Sequence, residues 1–181
     1  MKKVMIITLL FMIRLVSYGQ TTINPDTVCV NSIGEQYFVT NTIGSSYQWT
    51  ITGGGGVLQT GQTTNSITID WGGIPGLYAN AVSVVETNSS NCPGTPINLD
   101  VFILQMGLSS LGPFCPGDPA VALGGTPNGG VYSGVGVVGN TFDPVVAGLG
   151  THLITYSLSG CNTTINITVN NGPITGPIQH Y

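Results

Sequence analysis

Apolar residues recur at every second position through most of this 181-residue chain. Tyr47, Trp49 and Ile51 share one face of an extended segment, and Ile67, Ile69 and Trp71 share one face of another. Val82 and Val84 continue a third run after Tyr78, and Ile97, Leu99, Val101 and Ile103 make a fourth. Later, His152, Ile154, Tyr156 and Leu158 alternate with Leu153 and Thr155, while Ile165, Ile167 and Val169 alternate with Asn166 and Thr168. Successive side chains of a strand point to opposite faces, so this period specifies a buried face and a wetter one. The runs are rich in β-branched and aromatic residues and are bounded by Gly, Pro, Asn and Ser. No apolar run of helical period occurs beyond the first 19 residues. Several short strands separated by turn signals predict an all-β fold of the sandwich type.

Residues 1–19 have the tripartite form of a secretory signal. Lys2 and Lys3 form a positive start, Val4 to Ile13 an apolar stretch, and Ser17 and Gly19 place small residues before a cut at Gln20. Arg14 is irregular at the end of the apolar stretch. Ten apolar residues make about 15 Å of helix, half of a bilayer core, so a cleaved signal is expected rather than an anchor. No later segment is long and apolar enough to span a membrane. The chain's three cations, Lys2, Lys3 and Arg14, all lie within this segment, so its loss takes the formal charge from −4 to −7. A product without Lys or Arg cannot neutralise phosphates with side-chain charge, which argues against a nucleic-acid partner. It also excludes a P-loop lysine, a Schiff-base lysine, an arginine clamp, a polybasic membrane patch and a lysine–asparagine isopeptide crosslink. The expected location is secreted or on the outer cell surface.

Four cysteines follow the signal: Cys29, Cys92, Cys115 and Cys161. An even count in an exported chain reads as disulfides, with three possible pairings. Cys29–Cys92 and Cys115–Cys161 are favoured, because each pair brackets one block of strand-like sequence. A zinc site is disfavoured by the lack of any C-x₂-C pair. The blocks suggest a β-sandwich over 20–105, a second smaller sandwich over 106–170, and a tail over 171–181. Gln105 to Pro113 is the expected junction. The second block is near the size at which a core alone is marginal, so its bond or its packing on the first block should matter. Trp49 is expected in the core against the Cys29–Cys92 bond, and Trp71 at the edge of that core.

The first block resembles the PKD-like, immunoglobulin-like repeats of cell-surface proteins in Bacteroidota. The resemblance rests on Val28-Cys29-Val30, on Ser46-Tyr47-Gln48-Trp49-Thr50-Ile51, on Ile67-Thr68-Ile69-Asp70-Trp71-Gly72, and on Glu86-Thr87-Asn88 followed by Asn91-Cys92-Pro93-Gly94. The second block is similar to another repeat of the same adhesin-like, gliding-associated proteins. It carries the run from Gly125 to Val137, then Phe142-Asp143-Pro144, the run from Ala147 to Tyr156, and Gly160-Cys161. The resemblance implies two tandem immunoglobulin-like sandwiches that serve as spacers and contact surfaces, with protein or glycan partners or self-association.

Candidate sites are sparse. Gly53 to Gly56 could suggest a phosphate cradle, but no helix start or lysine accompanies it, and a flexible loop tip is expected. Gly129 and Gly130 suit a hairpin turn after Pro127-Asn128. His152 lies in the core-facing register of its run, and a hydrolase would need it gathered with a Ser and an Asp. The acids lie far apart, without a calcium-loop pattern, although calcium held by one or two loop acids stays open. A glycosidase pair such as Asp70 and Glu86 would need a cleft. Asp118 and Asp143 precede prolines and should shape turns. Asn88, Asn162 and Asn166 fit N-x-Ser/Thr, without a glycan being expected. No catalytic residue, cofactor or metal is therefore assigned. The expected function is a non-enzymatic adhesion or structural module. One alternative is a self-assembling fibre subunit whose segments Gln20–Asp26 and Asn170–Tyr181 add to a neighbour's sheet. Another is a carbohydrate-binding module, which would expose Trp71, Tyr132 or Tyr37 together on a flat face.

Overall fold

The computed structural model describes residues 25–173 and 176–180. The expected signal at 1–19 lies outside the described residues. The first seven strands are β1 (Asp26–Cys29), β2 (Glu35–Phe38), β3 (Ser46–Ile51), β4 (Val57–Thr60), β5 (Ser66–Asp70), β6 (Gly76–Thr87) and β7 (Ile97–Leu104). They form a four-stranded sheet in the order β1-β7-β6-β3 and a three-stranded sheet in the order β2-β5-β4. β1 runs parallel to β7, with Cys29 opposite Leu104, and the other pairs are antiparallel.

The inward faces are those the alternation assigns. Tyr47, Trp49, Val82, Val84, Val101 and Ile103 of one sheet meet Tyr37, Ile67 and Ile69 of the other, with Trp71 closing the cluster. This is a β-sandwich core. The alternation in β6 is interrupted between Tyr78 and Val82, where the register shifts and Asn80 takes φ +52°. The bulge brings both Ala81 and Val82 into the core.

The glycine run at 53–56 departs from the expected flexible tip. It makes the β3–β4 turn, and Gly54 is buried there. A Cβ on Gly54 would lie 2.9 Å from Ile103 and 3.1 Å from Trp71, and one on Gly56 would lie 2.8 Å from Trp71. The run therefore seats backbone directly on an indole, where no side chain fits.

Beyond β7 the chain leaves the first two sheets. It then supplies β8 (Gly107–Leu108), β9 (Val121–Ala122), β10 (Gly125–Thr126), β11 (Val131–Ser133), β12 (Val137–Val138), β13 (Thr141–Phe142), β14 (Gly150–Leu158) and β15 (Cys161–Val169). Three small sheets result, ordered β10-β8, β11-β14-β15 and β12-β13-β9. Leu123, Phe142, Ile154, Ile167 and Val169 form their core. Asp143 caps a single helical turn, α1 (Pro144–Ala147), by accepting from the amides of Val145 and Val146. Beyond Val169 the described residues form no strand.

Gly129 and Gly130 do not close a hairpin. β10 pairs with β8 and β11 with β14, so the turn between them links two sheets. Would-be Cβ atoms on Gly125 and Gly130 fall on the Tyr156 ring, and the Gly130 amide donates to the Tyr156 hydroxyl at 2.8 Å. A third cluster joins the two sets of sheets. Leu104, Met106, Tyr156 and Cys161 are buried in it, with Cys29, Phe102 and Tyr132 packed alongside.

Gly54→Ala places a methyl against Ile103 and Trp71 at a left-handed backbone position. It should cost about 1–3 kcal/mol, read as a lower urea midpoint with an unchanged m-value.

Candidate functional site

The sulfur bond of this chain joins Cys29 to Cys161, residues 132 apart in sequence with Cα atoms 5.5 Å apart. Cys92 and Cys115 are free and exposed. The expected Cys29–Cys92 and Cys115–Cys161 pairs are thus corrected, and strand length explains why. Cys29 lies opposite Leu104 at one end of β7, whereas Cys92 precedes the other end. Eight residues at about 3.3 Å each separate those ends, far beyond the ~7 Å that a disulfide can span. Cys161 begins β15, and Cys115 follows Phe114, which bridges Val169 at the far end of that strand. Each favoured pair brackets a block in sequence but sits at opposite ends of it in space.

The pleat explains the partner that forms. Val28 points into the first core, so Cys29, the next residue in the strand, points out of it. It meets Cys161 in the junction cluster. Trp49 therefore has no disulfide behind it. Its indole is buried in the first core and donates to the Thr64 carbonyl at 2.8 Å.

Trp71 is buried as well, and it ends a polar chain. Its Nε1 donates to the Tyr37 hydroxyl at 3.1 Å, which donates in turn to Asp26 Oδ2 at 2.9 Å. The two rings meet edge to face at 79° with centroids 6.3 Å apart. Burial pushes the Tyr37 phenol above its ordinary range, and the charge of Asp26 raises it further. Trp71 is 3% exposed and Tyr37 8% exposed. Tyr132 is half-buried and held by the Gly125 amide and the Leu123 carbonyl. These three rings do not form the flat exposed platform that sugar stacking would need.

One buried acid escaped sequence reading. Asp100 is 2% exposed, and its Oδ1 accepts from the Asn80 amide at 2.7 Å. Its Oδ2 has no hydrogen-bond partner among the described residues. The β6 bulge turns that amide toward the carboxylate, and alternation alone does not reveal such a bulge.

His152 is half-buried, 6.2 Å from the Phe142 ring by centroids. Its Nε2 donates to the Gly148 carbonyl at 2.9 Å. Asp70 accepts from the Gly34 amide, and Asp118 accepts from the Cys115 amide, so both carboxylates pin loops. Among the described residues no three His, Cys, Asp or Glu side chains gather at a spacing suited to a metal. A groove of about 230 Å³ lies beside the disulfide, lined in part by Val30, Gln105 and Asn162. That is below the ~300 Å³ at which ligand pockets usually begin.

Residues 16–101 match the PKD-like domain family. The match ends inside β7, so it takes in all the first-core strands except the end of the last. No curated protein matches the chain. The PKD-like match, the sandwich core and the disulfide fit an extracellular protein, and no helix among the described residues is long and apolar enough to cross a membrane.

Replacing both Cys29 and Cys161 with Ala should lower stability by about 2–5 kcal/mol, because the bond closes so long a loop. Denaturant melts of the variant and the parent check this. Peptic mapping without reductant should recover the two cysteines in one linked fragment. Tyr37 should also govern an alkaline transition. Its folded-state ionisation is raised, so its contribution is intact below about pH 10 and is lost as the unfolded chain ionises above that. The fall should be up to about 1.4 kcal/mol per pH unit, and Tyr37→Phe should flatten it in melts from pH 8 to 12.

Proposed function

We propose that the chain is an exported, non-enzymatic adhesion or structural module of the outer cell surface. On this reading it comprises a PKD-like sandwich over 20–105 and a smaller immunoglobulin-like sandwich over 106–170. The supporting observation is the Cys29–Cys161 bond, which pins the two sets of sheets together at their shared cluster. A structural disulfide suits an oxidising exterior, and a fixed junction suits a part that holds a separation rather than one that closes on a substrate. Its partners are protein or glycan surfaces. A fibre subunit is the second reading, favoured by the two free exposed thiols.

Antibody raised to the purified chain should label intact cells of the source organism or their culture medium. A strain lacking the protein should lose attachment to surfaces or to neighbouring cells. Labelling that needs permeabilised cells would overturn the location, and unchanged attachment with an unchanged envelope would overturn the role.

A further inference from the structure

We infer that Asn128-Gly129 is a self-modification site, where the chain closes a succinimide that opens to aspartate or isoaspartate and loosens the hold of its turn on Tyr156. The inference goes beyond the surface-module reading and does not depend on where the protein resides.

A succinimide forms when the amide nitrogen of the following residue attacks the asparagine side-chain carbonyl. The attack is intramolecular, so it needs a nitrogen that is uncommitted, unhindered and free to approach. Asn128 and Gly129 are exposed turn residues between β10 and β11. The Gly129 amide donates no backbone hydrogen bond among the described residues. Gly129 takes φ +102°, and a would-be Cβ there meets nothing within 4 Å. With no side chain on the attacking residue, the peptide unit has room to rotate toward the Asn128 carbonyl. The amides that follow Asn31, Asn41 and Asn91 lack this freedom. Ser32 donates to the Cys29 carbonyl, Thr42 to the Tyr47 hydroxyl and Cys92 to Asn88 Oδ1. Asn171-Gly172 is the second Asn-Gly pair of the sequence, and it lies beyond Val169, outside any strand.

The anchoring of this turn gives the reaction a consequence. Both ends are held by one hydroxyl, since Tyr156 Oη donates to the Pro127 carbonyl and accepts from the Gly130 amide at 2.8 Å. Asn128 and Gly129 lie between those two anchors. Tyr156 is buried in the junction cluster with Leu104, Met106 and Cys161, and its ring centroid is 4.6 Å from that of Tyr132. An isoaspartate lengthens the main chain between the anchors by one carbon. The ring is packed on every side and cannot follow, so the longer turn gives up an anchor and leaves a buried polar group without its partner. Either product also adds one negative charge, while no Lys or Arg lies beyond Arg14 to offset it.

The chemistry balances with water alone. The Gly129 nitrogen bonds to Asn128 Cγ and closes a five-membered imide. The bond from Cγ to the side-chain nitrogen breaks, and that nitrogen leaves as ammonia with the proton from the Gly129 amide. Water then adds to one of the two imide carbonyls. Addition at Cγ reopens the new bond and leaves an aspartate on the original main chain. Addition at the main-chain carbonyl breaks the original peptide bond, so the chain continues through Cγ as an isoaspartate. One water enters, one ammonia leaves, and nothing is oxidised or reduced.

The test holds the purified folded chain in mildly alkaline heavy-oxygen water, beside a sample unfolded in urea. Peptic digestion in acid then yields the peptide that carries Asn128, read by mass and by labelling with an isoaspartyl methyltransferase. In the folded parent that peptide should exchange its amide nitrogen for one heavy oxygen and accept the label. Ion exchange should separate chains modified at Asn128 from the unmodified chain, and the modified fraction should show a lower urea midpoint. A fraction modified at Asn171 alone should keep the parent midpoint. Asn128→Gln, whose attack would need a six-membered ring, should lose both the mass shift and the label at this peptide. Its side chain is exposed, so circular dichroism and the initial midpoint should match the parent. An Asn128 peptide that stays unmodified in the folded chain overturns the proposal, whether or not it converts in urea. So does an Asn128-modified fraction whose midpoint equals that of the parent, or conversion of the Asn128→Gln peptide as fast as that of the parent.

Discussion

The pleat of one short strand organises the molecule. In β1, Val28 faces the sandwich core and Cys29 faces away from it. A shift of one residue would bury the sulfur between the sheets and expose the valine. As it stands, the cysteine reaches the start of β15 and bonds there. Leu104, Met106 and Tyr156 pack around the same spot, so the covalent link and the apolar contact between the two sets of sheets coincide. The parallel pairing of β1 with β7 sets this position, because it places Cys29 beside the point where β7 leads toward β8.

Both halves solve a second problem in the same way. A large aromatic ring must be covered at the end of a core, and the cover is bare backbone. Gly54 and Gly56 lie on Trp71, while Gly125 and Gly130 lie on Tyr156. The polar edge of each ring is satisfied nearby, Trp71 through Tyr37 and Tyr156 through the Gly130 amide. With so few charged side chains, ring-on-backbone packing and ladder hydrogen bonds carry the cohesion that salt bridges supply only weakly elsewhere.

Much of the sheet pattern was legible in the alternation. Tyr47, Trp49, Ile67, Ile69, Trp71, Val101, Ile154, Tyr156 and Ile167 are all buried, as their period requires. Period two assigns a face but does not say which strand ends meet, so the cysteine partners were not legible. A block bracketed by two cysteines looks closed in sequence, although its strands hold them a full strand length apart. Glycine runs read as freedom because composition cannot show the ring beneath them. The burial of Asp100 depends on the bulge at Asn80, where two extra residues turn an amide toward the acid. The one-turn helix is too short to leave a period, and only Asp143-Pro144 marks its start.

The placement of the Cys29–Cys161 bond also has a mechanical meaning. β1 runs from Asp26 into the bond at Cys29, and β15 runs from the bond at Cys161 to Val169. Tension applied to the segments before Asp26 and after Val169 therefore runs down β1, across the sulfurs and along β15. The 132-residue span between the cysteines lies outside that path. Pulling on those segments loads two strands and one covalent bond, and both cores stay sheltered until β1 shears from β7 or β15 shears from β14.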